Sequence, residues 1–205
     1  IRFHAQQEAP IPPEHQEITT QNLLRFESLF ELQLERTVLF YRYTDNEQKG
    51  QYTGNSGNAH ADRGNEVHTI HPVDAHELVH LVSAVGGQSD FPLLVEGIAE
   101  AYSSGDNGKR YDERVVQFSE DGRLPCLSQI TVRDVFRSMD GNVTYPVAGS
   151  FVRYLIARKD LRTFLDMYHS KNPRDLSGQL QATYGQDLEQ LETAWLESLG
   201  ISKHK

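Results

Sequence analysis

Cysteine is nearly absent from this chain: Cys126 is the single thiol in 205 residues. One thiol closes no internal disulfide, so the redox compartment stays open, and packing in a core is its expected role. Long apolar runs are absent too. Nothing approaches the ~20 residues that a bilayer-spanning helix needs, and no secretory leader pattern is present. Basic residues are the minority charge, 20 Lys and Arg against 29 Asp and Glu, for a formal net charge of −9. That balance disfavours nucleic acid and anionic membrane surfaces as partners, since both reward clustered positive charge. There is no glycine-rich phosphate loop, no internal repeat and no low-complexity linker, so no motif points to a nucleotide. The chain opens on Ile1 rather than Met, which fits a processed or trimmed form and favours a secreted or periplasmic setting.

What is present is concentrated in five residues, His76-Glu77-Leu78-Val79-His80. On a helix of 3.6 residues per turn, positions i and i+4 share a face, so the imidazoles of His76 and His80 can close on one metal ion. Glu77 lies beside them, placed to accept a proton from a metal-held water, the general-base role in a metalloprotease. The competing reading is a polar pair on an ordinary helix. The next segment argues against it. Phe91 to Tyr102 reads as a second helix, with Pro92 in the permitted first turn and apolar residues on every side. Glu96 and Glu100 lie one turn apart within it. Carboxylates in so apolar a helix are costly unless a cation or a hydrogen-bond donor receives them, and a zinc ion held by two histidines would receive Glu96.

With both segments in view, the chain resembles the gluzincins, zinc peptidases that include thermolysin and related aminopeptidases. Glu96-Gly97-Ile98-Ala99 matches the context in which that family places its third ligand. Gly86 stands where the third histidine of the longer metzincin pattern would fall, which excludes that alternative. The resemblance implies one Zn²⁺ per chain on His76, His80 and Glu96, and a Glu100 carboxylate accepting a hydrogen bond from the imidazole of His76. It also implies an oxyanion donor, which it places at Tyr145, before Pro146 at an expected helix start. Gly149 and Ser150 are small enough for close packing there. Tyr102 and Tyr154 are weaker candidates, and for each tyrosine a purely structural role is the alternative. Asn58-Ala59-His60-Ala61 corresponds to the edge strand that pairs with extended substrate, or else is a surface turn.

The remaining histidines are read as ordinary. His68 and His71 are expected on one strand facing opposite sides, so they do not share a metal. His4, His15, His169 and His204 are scattered. Arg153 is read as a salt-bridged group before a substrate ligand.

The length suits a single catalytic domain, residues 1 to 205, with an α/β lobe to about residue 90 and a helical lobe from about 91. Strands are expected at Ile1 to Ala5, Thr37 to Tyr43 and Glu66 to His71. Thr20 to Glu35 reads as a helix with Leu23, Phe26, Leu29 and Phe30 on one side. Ala9 to Pro13 is a stiff connector, and Gly50 to Gly64 is rich in turns. Pro72 and Asp74 mark the start of a helix at 73–85. Further helices are expected at 91–103, 111–119, 131–138, 145–158, 160–170 and 187–199. The fold class is therefore α+β, strands and helices first and helices after; the resemblance implies a small mixed sheet packed on the His76–His80 helix, then a mainly helical lobe. The resemblance implies a thermolysin-like arrangement of the two. The expected activity is zinc-dependent hydrolysis of a peptide or protein, endopeptidase before aminopeptidase because no motif for reading a substrate amino terminus is found. A non-catalytic peptide-binding module and a hydrolase of non-peptide amides stay open as alternatives.

Overall fold

A computed structural model describes residues 1–5, 8–62, 65–104, 109–170 and 175–202, so that His204 and Gly64 lie outside it. The chain is α+β and divides into two compact units, Ile1–Val85 and Gly86–Lys205.

The first unit is built on a four-stranded mixed sheet in the order β1 (Arg2–Ala5), β2 (Leu39–Arg42), β4 (Glu66–Thr69), β3 (Ala59–Asp62). β1, β2 and β4 run parallel, and β3 pairs antiparallel at the edge. Parallel neighbours need a long crossover, and α1 (Pro13–Phe30) supplies the one between β1 and β2. α1 starts earlier than the apolar pattern alone predicts, because Pro13 sits in the first turn, where its missing N–H costs nothing. It stops at Glu31, whose left-handed φ of 54° lets its N–H reach back to Ser28. The buried stripe is Thr19, Leu23, Phe26 and Phe30; Leu29, expected on it, is exposed, being one residue off the 4-3-4 spacing.

Alternation sorts the sheet into two faces. Phe3, Phe40, Val67 and Ala61 are register partners across one face, where Phe40 and Val67 are fully buried. The other face carries His4, Tyr41, His68 and His60, one from each strand, also register partners. Their rings stack with centroids 4.8, 4.8 and 4.9 Å apart, which is the strand spacing itself.

Between β2 and β3 lies a helix, α2 (Asn46–Thr53), whose second half falls in the Gly50–Gly64 stretch read as turns. Asp45 caps it by accepting from Gln48 N at 2.8 Å, while Gln48 Oε1 accepts from Thr44 N at 3.0 Å; this is a reciprocal cap without an apolar stripe behind it. Lys49 on α2 is fully buried and donates to the Asn55 carbonyl at 2.9 Å. α3 (Ala75–Ser83) closes the first unit by packing on α1 and beside β3.

The second unit is helical: α4 (Pro92–Ser103), α5 (Lys109–Glu120), a 3₁₀ turn at Gln129–Thr131, α6 (Arg133–Ser138), α7 (Gly141–Arg158), α8 (Leu161–Tyr168), α9 (Leu176–Tyr184) and α10 (Leu188–Ser198). Its centre is the crossing of α4 on α7, which Gly97 makes possible. A Cβ at Gly97 would lie 2.4 Å from Val152 Cγ2 and 2.7 Å from the Ala148 carbonyl oxygen. Gly149 does the same from the other helix, where a Cβ would stand 2.8 Å from that of Glu100. Ile98, Ala99, Val147, Phe151 and Val152 fill the contact without exposure.

Pro146 lies inside α7 rather than at its start, since the helix begins at Gly141 behind the Asp140 cap. Proline offers no N–H to the Asn142 carbonyl one turn back. Arg114 on α5 takes its place, donating to that oxygen at 2.6 Å. Arg153, also on α7, pairs with Asp112, whose other oxygen accepts from Ser150 Oγ at 2.6 Å; Ser150 in turn accepts from Trp195 Nε1 at 3.1 Å. Cys126, expected in a core, is exposed: it sits in the loop before the 3₁₀ turn, where its neighbour Leu127 takes the buried position.

Candidate metal centre

α3 owes its position to one buried side chain. Asp74 stands at its N-cap, with Oδ1 accepting from Glu77 N at 3.3 Å and Oδ2 accepting from Thr69 Oγ1 at 2.7 Å. The end of β4 and the start of α3 are thereby fixed together, and the helix N-terminus receives a carboxylate that suits its dipole. On the first turns of α3, His76 and His80 turn their Nε2 atoms to within 3.0 Å of each other, the rings edge-on at 80°. Both rings are half-buried, and Glu77 beside them is buried at 7% exposure. The buried ammonium of Lys49 acts electrostatically on Glu77; burial, the larger effect, holds the Lys49 pKa below its usual value, and Glu77 opposes that shift.

Two groups among the described residues could hold a metal ion: His76 with His80 and Glu96, and His60 with Asp62 and His68. The sequence pointed to a single set. The additional group is made by the pairing of β3 with β4, a register that no local spacing in the sequence discloses.

Glu96 and Glu100 both stand on α4, half-buried in a helix that is otherwise apolar. Glu100 accepts a hydrogen bond from the Tyr111 hydroxyl of α5, a partner that no sequence signal announced. Burial, and then this carboxylate, hold the Tyr111 pKa above its usual value, so the phenol stays a donor.

Tyr145 lies in the second turn of α7, with its ring packed edge-on against Phe136 at 5.4 Å. Tyr154 receives a hydrogen bond from Arg158 one turn on, which gives its hydroxyl a structural partner. Burial pushes Tyr102 up to about 12. Ala59 and His60 belong to the edge strand β3, while Asn58 precedes it. The Asn58 carbonyl accepts from Ile70 N at 3.1 Å and its side chain accepts from Asn46 at 2.9 Å. His71 falls beyond β4, which ends at Thr69, and its N–H turns back to Thr69 Oγ1 at 3.0 Å. His68, read as ordinary, is buried, with Nδ1 2.9 Å from the Tyr43 hydroxyl and Nε2 3.1 Å from Glu66.

No protein-family model matches the chain, and no match was found among curated proteins or solved structures.

Proposed function

We propose that this chain is a zinc-dependent peptidase of the gluzincin kind, with His76, His80 and Glu96 holding the metal and Glu77 as general base. The observation that carries the reading is the 3.0 Å separation of the His76 and His80 Nε2 atoms. Two imidazole nitrogens each ~2.0–2.1 Å from one tetrahedral ion stand roughly 3.3 Å apart, so a small outward shift of the rings would admit it. A buried Glu77 follows His76 directly on the same turn.

Two imidazoles, a carboxylate and an open position are the donor set of catalytic zinc, which when bound polarises a carbonyl and brings the acidity of a coordinated water to about pH 7. The chain's own residues supply the rest. Glu77 accepts the proton of the attacking water and returns it to the leaving amine, and its low exposure keeps competing solvent from that carboxylate. Asp74 and Thr69 hold the turn that carries Glu77, so that the base is oriented before substrate arrives. Tyr145 is assigned as donor to the developing oxyanion, and Glu100, already held by Tyr111, as the acceptor that orients the His76 imidazole. The edge strand β3, with small Ala59 and Ala61, offers backbone groups to an extended peptide.

The test is a peptide-library digest with the zinc-loaded chain beside Glu77→Gln. Cleavage by the native chain alone supports the reading. Metal binding without cleavage of any peptide would replace it with a binding module, and turnover confined to non-peptide amides would move it to that class of hydrolase.

A further inference from the structure

We propose that His60, Asp62 and His68 form a second metal site, on the sheet face that carries the stacked rings, for a divalent first-row transition ion such as zinc. Residues 60 and 62 alternate to one side of β3, and the antiparallel register sets His68 opposite His60 and Glu66 opposite Asp62. Ligand atoms of His60, Asp62 and His68 all lie within 4.8 Å of one another. Nδ1 of His60 is buried and makes no hydrogen bond among the described residues. A buried ring nitrogen with no partner is costly, and a cation would relieve it.

His68 is prepared in a different way. Its Nδ1 is held by the Tyr43 hydroxyl at 2.9 Å, which leaves Nε2 as the ligating atom, with Glu66 Oε2 3.1 Å away. One ring nitrogen fixed by an oxygen while the other faces the ion is the usual arrangement of a metal-bound imidazole. Without metal, Tyr43 donates to Nδ1 and Nε2–H donates to Glu66. With metal, the ring takes the other tautomer, Nδ1–H donates to the Tyr43 oxygen, and the Nε2 lone pair faces the cation. The imidazole pair selects zinc, copper, nickel or cobalt over magnesium and calcium, which take oxygen ligands. Imidazole lone pairs lie in the ring plane, so loading draws the His60 and His68 rings out of their near-parallel 14° stack.

This site is independent of the peptidase reading, and the experiment keeps the two apart. The full chain is stripped with chelator and titrated with zinc and with cobalt(II), reading stoichiometry by calorimetry and cobalt coordination by visible absorption. Two ions per native chain are expected. One is expected after His60→Ala with Asp62→Asn, and one after His76→Ala with His80→Ala. Should the His60 variant fail to fold by circular dichroism, Asp62→Asn alone, an exposed and nearly isosteric change, must weaken one of the two zinc-binding events at least ~10-fold. The proposal is overturned by a stoichiometry that the His60 and Asp62 changes leave untouched. It is equally overturned by a native chain whose one ion is lost in the His76→Ala, His80→Ala variant, or by an ion lost with the His60 and Asp62 changes that is held only at millimolar concentration, which is adventitious. A His76 and His80 variant that loses no ion would instead overturn the peptidase assignment and leave this one standing.

Discussion

Thr69 Oγ1 donates to Asp74 Oδ2 at 2.7 Å, and the same carboxylate caps the backbone of Glu77. Strand, cap and proposed base are thus joined by one side chain. Asp74→Ala should cost about 1–3 kcal/mol, since it removes a helix cap and leaves the buried Thr69 hydroxyl without its acceptor. Asp74→Asn should cost less, because its amide still accepts through oxygen. Urea unfolding of both variants, with zinc titration alongside, checks the order; an Asp74→Ala chain as stable as native would remove Asp74 from this role.

Glu77→Gln should keep the metal and the fold and lose turnover, because the amide is nearly isosteric and takes no proton at neutral pH. His80→Ala should lose the ion on that helix together with activity. Metal content and peptide cleavage measured on the same preparations decide it. Native-rate cleavage by Glu77→Gln would sink the mechanism.

Tyr145→Phe separates two roles for one hydroxyl. As oxyanion donor its loss should lower kcat about 10²-fold with KM near native and zinc content unchanged. A Tyr145 with a purely structural role would instead show near-native kcat, with any loss appearing in Tm.

Gly97→Ala should destabilise the second unit by about 2–4 kcal/mol, for its methyl group would enter van der Waals contact distances of both Val152 and the Ala148 carbonyl. Adding Val152→Ala relieves the first clash and leaves the second, since a backbone oxygen cannot be trimmed. The double variant should therefore recover only part of the loss in chemical denaturation, and full recovery would mean the helices simply move apart.

Alkaline stability follows from the buried phenols. Tyr102 titrates near 12 in the folded chain and near 10 unfolded. The folded chain keeps a proton that the unfolded chain gives up, so stability complete below pH 10 falls as pH rises toward 12. Tyr43 and Tyr111 shift in the same direction and add to the slope. Lys49, depressed by burial, acts oppositely below about pH 10.5, where stability rises with pH. Tyr102→Phe should flatten the fall between pH 10 and 12, by at most about 2 kcal/mol before allowing for the water that reaches the ring. An unchanged slope would assign the titration elsewhere.

The parts of the fold that could be read from sequence are those with local causes. Asp74 and Pro92 announce the starts of α3 and α4, and the i, i+4 histidines announce their shared face. α9 was hidden because Gly178 interrupts a stripe of Leu176, Leu180 and Tyr184, although Gly185 at φ 73° marks its end. α2 was hidden because its buried residue is a lysine. Tyr145 was placed at a helix start because Pro146 is normally read as a boundary, and the Arg114 side chain that lets the helix run through it comes from another element. The stacked rings of the sheet and the Tyr111 bond to Glu100 are non-local in the same sense: one depends on strand register, the other on a helix crossing.

Trp195 is the only tryptophan, and it is buried in the second unit against Phe151 with its indole N–H on Ser150. Intrinsic tryptophan fluorescence is therefore blind to residues 1–85, where His76, His80 and the sheet reside. A smooth emission curve in urea reports only the helical unit, however cooperative it looks. The unfolding of the sheet-bearing unit has to be followed by a probe of its own, such as hydrogen exchange of the β1–β4 amides, and coincidence of the two midpoints is what would establish that the units melt as one.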